Sequence, residues 1–91
     1  MISELVPVFV DTIQADIEEG ILYISEKYNV SIHLCACGCK GKTVLPFNKP
    51  NEWVMVNNEG KVSFTPSIGN FSGESPYHAH YYVTDNKIVW C

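Results

Sequence analysis

The feature that most limits the fold of this chain is a succession of short β-type runs with no helical stretch of comparable weight. VPVFV (6–10), ILYIS (21–25), VSIHLC (30–35), TVLPF (43–47), WVMV (53–56), KVSFT (61–65), HYYV (80–83) and KIVW (87–90) are rich in Val, Ile, Tyr and Phe, side chains that pack well on a pleated surface. Turn chemistry separates them. NNEG (57–60) offers Asn and Gly for positive φ, and TDN (84–86) joins two runs closely enough for a hairpin. The expectation is an all-β domain of about eight short strands with at most one short helix, over DTIQADIEEG (11–20), where Asp11 or Thr12 can cap and Gly20 can terminate. NFSGESPYHAH (70–80) reads as a long loop from its Gly, Ser and Pro content.

With 91 residues the chain is expected to form a single domain, 1–91, because a chain this short buries only about 60–65% of its unfolded surface and cannot divide its core. Hydrophobic residues make up 46% and charged ones 18%, the composition of a folded globule whose small core gains from a staple. The net charge of −4 and the lack of a Lys/Arg cluster argue against nucleic acid, whose binding rests on neutralising phosphates. No apolar run approaches the ~18 residues that span a bilayer, so no membrane partner is expected. The start, MISELVPVFVDTIQ, lacks a basic n-region and a long apolar h-region. A cytoplasmic chain is expected, and there metal sites are commoner than structural disulfides.

The chemistry concentrates in HLCACGCKGK (33–42) and HAH (78–80). In extended backbone, residues two apart share a face, so Cys35, Cys37 and Cys39 can project together unless a turn through Gly38 bends them apart, and so can His78 and His80. Mixed thiolate and imidazole sets are the usual structural ligands of zinc, so Zn²⁺ is the expected cofactor, with the four ligands drawn from Cys35, Cys37, Cys39, His78 and His80. Cys91 stands apart, and His33 reads as a satisfied polar group within a strand. Three sulfurs with an imidazole quench Lewis acidity, which favours a structural metal. Candidate catalytic groups are Ser67, in PSIGN, and Glu74, just before HAH. A Ser67 nucleophile would use His78 or His80 as base, and a ring bound to metal has no lone pair left for that proton. The plainer reading of Ser67 is a turn residue after Pro66.

GILYIS followed by Tyr28, HLCACGC, PSIGN and HYY together resemble a small bacterial family, the E component of bacterial ubiquitination-like (Bub) operons, found beside ubiquitin-like, activating-enzyme-like and conjugating-enzyme-like proteins. The resemblance runs from about Gly20 to Trp90. The family pattern reads Cys-x-Ser-His-Tyr in its last motif, where this chain has Tyr77-His78-Ala79-His80-Tyr81; His78 is best placed to replace a missing thiolate ligand, and Ala79 rules out a catalytic serine at that position. The resemblance implies a zinc-binding component of a ubiquitin-like modification system, working with a ubiquitin-like protein or an operon-encoded subunit as a peptidase or de-conjugating subunit. The alternative is a zinc-stabilised interaction module without catalysis.

Overall fold

A computed structural model describes residues 2–38, 41–50, 52–72 and 75–90, without the side chains of 69–72 and 75–79. Eight strands follow in order: β1 (Val6–Phe9), β2 (Ile21–Ser25), β3 (Val30–Leu34), β4 (Lys42–Pro46), β5 (Val54–Asn58), β6 (Lys61–Ser72), β7 (Ser75–Thr84) and β8 (Lys87–Trp90). They form two four-stranded sheets ordered β1-β2-β3-β4 and β5-β6-β7-β8. All neighbouring pairs are antiparallel except β1 and β2.

Period-two burial explains the assembly. Leu22 and Ile24 of β2, Leu45 of β4, Val62, Phe64 and Ile68 of β6, Tyr81 and Val83 of β7 and Ile88 of β8 form one buried cluster, so the inner faces of both sheets share a core. Two ring contacts cross it. Phe47 meets Phe64 edge-on with centroids 6.2 Å apart, and His33 meets Tyr81 at 6.0 Å. The amino-terminal segment ties the sheets at their rims, with Leu5 N–H donating to Asn86 O and Ile88 N–H to Ser3 O.

Two expectations require correction. Among the described residues there is no helix, and 11–20 is irregular backbone. Its polar groups bond to sheet side chains instead of to the next turn: Ser25 Oγ donates to Asp11 O (2.6 Å), Glu18 N–H to Tyr23 Oη (3.0 Å), and Lys42 Nζ to Ala15 O (3.2 Å). A ten-residue helix is marginal without packing support, and these bonds outcompete it. The second correction is the stretch 70–80, whose described backbone, 70–72 and 75–80, is sheet. Gly69 pairs His80, Asn70 pairs Ala79 and Ser72 pairs Ser75, with a register shift between Asn70 and Ser72, since a ladder needs only backbone N–H and C=O groups and tolerates such irregularities.

Candidate active site

Ser67 is placed by an interruption in β6, an interior strand of its sheet. Phe64 pairs Val83 and Ile68 pairs Tyr81, so Thr65, Pro66 and Ser67 stand against Tyr82 alone. Pro66, whose bond to Thr65 is cis, has no N–H for a ladder, and proline is tolerated inside a sheet only at such a bulge. Bulges re-aim side chains and are frequent beside active sites. Ser67 is therefore a residue of a bulged strand and not, as its local sequence suggests, of a turn.

On β7, Tyr81 and Val83 are fully buried while His80, Tyr82 and Thr84 are exposed. His80 thus belongs to the outer face. The bulge turns Ser67, half-buried, toward the same face, and Ser67 Oγ lies 2.7 Å from His80 Nε2. With Nε2 unprotonated, the Ser67 hydroxyl donates to it. This is the spacing of an activated nucleophile and its base, ~2.6–3.2 Å.

Beneath the pair, on the inner face, His33 Nε2 is 2.7 Å from Tyr81 Oη. Both residues are completely buried, and burial lowers the His33 pKa from 6.5 to about 4, which keeps the ring neutral at neutral pH. His33 Nδ1 has no hydrogen-bond partner among the described residues. The expectation of a satisfied polar group within a strand is therefore met at Nε2 alone. Because Tyr81 directly follows His80, the link from β3 to β7 also holds the strand that presents His80.

The cysteines occupy the β3–β4 connection. The strand stops at Leu34, Gly38 N–H bonds to Cys35 O (3.1 Å) with Gly38 at φ +94°, and Cys35 N–H bonds to Gly41 O (2.8 Å). The bend through Gly38 occurs, yet Cys35 Sγ and Cys37 Sγ stay 3.3 Å apart. Among the described residues no three His, Cys, Asp or Glu side chains converge as metal ligands, so Cys35, Cys37 and His80 do not share a site there. Cys39, Glu74 and the side chain of His78 lie outside the described residues.

On the outer face of a two-sheet β domain, the Ser67–His80 contact brings together the two groups that a hydroxyl nucleophile and its base require. Over residues 9–91 the chain matches the family described as bacterial ubiquitination-like system serine protease (BubE), and it belongs to that family. It is accordingly a component of a bacterial ubiquitination-like system. No curated protein and no solved structure matches the chain.

The pairing of Ser67 with His80 is what sequence reasoning subordinated to metal binding. The signal is Pro66, directly after the KVSFT run: if the strand continues past a proline it must bulge there, and a bulge changes which neighbour a serine faces.

Proposed function

We propose that this protein is a serine-type peptidase that cleaves an acyl bond at the chain end of the ubiquitin-like protein of its system, with Ser67 as nucleophile and His80 as general base. The observation that carries the reading is the 2.7 Å contact between Ser67 Oγ and His80 Nε2, supported by the family's description as a serine protease. Ser67 Oγ adds to the scissile carbonyl carbon as its proton passes to His80 Nε2; the imidazolium returns that proton to the leaving amine, and the C–N bond breaks. Water, deprotonated by His80, then hydrolyses the Ser67 ester. Cleavage of a ubiquitin-like fusion by purified protein tests this. Ser67→Ala and His80→Gln are each expected to lower kcat by at least about a thousandfold, as removing one member of a cooperative pair does, with folding intact. A wild-type protein that binds the ubiquitin-like partner tightly yet cleaves nothing would replace the enzyme by a binding module.

The same reading reserves zinc for a structural role at the β3–β4 connection. Two thiolates on one zinc sit roughly 3.8 Å apart, given Zn–S bonds of ~2.3 Å in a tetrahedron, and the 3.3 Å between Cys35 and Cys37 fits such a pair after slight opening. Cys39 would add a third sulfur. His80, engaged through Nε2 with Ser67, is left out of that set, and the metal there would brace the turn.

A further inference from the structure

The outer face of the β5-β6-β7-β8 sheet departs from the usual pattern. An antiparallel sheet with one solvated face is ordinarily polar on that side, but here Val54, Val56, Tyr82 and Val89 are 51, 55, 41 and 48% exposed. The alternation puts them together on one face: Met55 between the two valines is buried, Tyr82 lies between buried Tyr81 and Val83, and Val89 follows buried Ile88. The register then aligns them. Val54 pairs Thr65, Thr65 belongs to the bulge opposite Tyr82, and Tyr82 pairs Val89.

Val54, Thr65, Tyr82 and Val89 therefore make one row across four strands, about 14 Å long at ~4.8 Å per strand. Ser67 and His80 lie immediately beside this row on the same face, His80 being two residues from Tyr82 along β7. Apart from the Thr65 hydroxyl the row is exposed apolar surface, the kind that marks an interaction site, and a row abutting a nucleophile is covered by whatever brings the carbonyl to it.

Resting on the reading of Ser67 as nucleophile, we infer that this row is the substrate-docking shelf: it receives an extended segment of the substrate protein, about four residues long at ~3.3 Å each, with apolar side chains next to the scissile bond. Tyr82 is the specificity-determining residue, because it stands opposite the bulge that carries Ser67 on one side and pairs Val89 on the other. A short, charged or glycine-only segment would leave the shelf exposed and bind weakly.

The test uses the full chain, a ubiquitin-like fusion with apolar residues before its cleavage point, and a small fluorophosphonate that reacts with the serine but is too small to span the shelf. Tyr82→Lys and Val89→Lys are expected to raise KM about tenfold each, the scale of one lost apolar contact, with kcat changed by less than about threefold, the signature of lost ground-state binding. Their fluorophosphonate labelling rates should equal that of the wild type. Val44→Lys, at an equally exposed valine of the other sheet, should leave KM unchanged. Unaltered KM in both shelf variants, with normal labelling, overturns the shelf and leaves the nucleophile standing. Failure of the wild type to be labelled at Ser67 overturns the nucleophile, and the shelf with it.

Discussion

His33 and His80 show how the same side chain is given opposite tasks by position on alternate faces. His80 is exposed beside a hydroxyl, whereas His33 is sealed in the core against Tyr81 with its pKa lowered to about 4 by desolvation. The lowered value makes a prediction about stability. Between pH 6.5 and about 4 the unfolded chain binds a proton at this site that the folded chain does not, so stability falls as pH falls through that window and levels off below it. At 1.36 kcal/mol per pKa unit the full loss from this residue is on the order of 3 kcal/mol. Urea melts of wild type and His33→Gln across that window should diverge by about one proton in slope; parallel curves would show that the ring is not held neutral. Of the site residues, Ser67 and His80 were both legible as chemistry in the sequence, but their contact was not, because it depends on a bulge two residues deep in a strand that local composition presented as a turn.

The elements divide by the same logic. ILYIS and KIVW became strands with unchanged bounds, since hydrophobic alternation and flanking turns state a strand fully. The two hairpins were also legible, although in the first it is Glu59 and Gly60 that take φ +54° and +88°, with Asn57 Oδ1 accepting from Gly60 N–H. Glu59→Gly removes the cost of a β-carbon in the left-handed region and is expected to raise stability by about 0.5–1 kcal/mol, read from the denaturation midpoint. Asn86 does more. At φ +69° it accepts from Val62 N–H (2.7 Å) and donates to Gly60 O (3.0 Å), joining the two hairpin turns. Asn86→Ala should cost about 2 kcal/mol through the orphaned groups; a loss below a few tenths would mean the turns are held independently. What composition concealed was the length of β6 and β7, because pairing beyond Thr65 is a backbone matter. At the β3–β4 connection, a structural zinc predicts one equivalent of metal on purification and a melting temperature lowered by chelator and by Cys37→Ser. Metal well below one equivalent, or a melting temperature that neither treatment moves, would remove zinc from the account.

At the scale of the whole molecule, two sheets closed over one core supply the rigidity on which the outer-face pair depends. Phe64 fills that core against Phe47, is almost fully buried, and sits at the last regular pair before the bulge. Phe64→Ala is expected to cost about 3–5 kcal/mol and to loosen the segment carrying Ser67, so activity should fall even in the fraction that remains folded. The all-β architecture was legible because eight apolar runs of strand length leave no other class open, while the split into two sheets of four was not, since it follows from which strands pair. The claim on which everything functional rests is that Ser67 is a nucleophile made reactive by His80. Its most direct measurement is the mass of the protein after exposure to a fluorophosphonate, with the adduct mapped by peptide sequencing. The account predicts a single adduct, on Ser67, lost in Ser67→Ala and slowed at least about a hundredfold in His80→Gln; no adduct, an adduct on another residue, or labelling indifferent to His80 would contradict it.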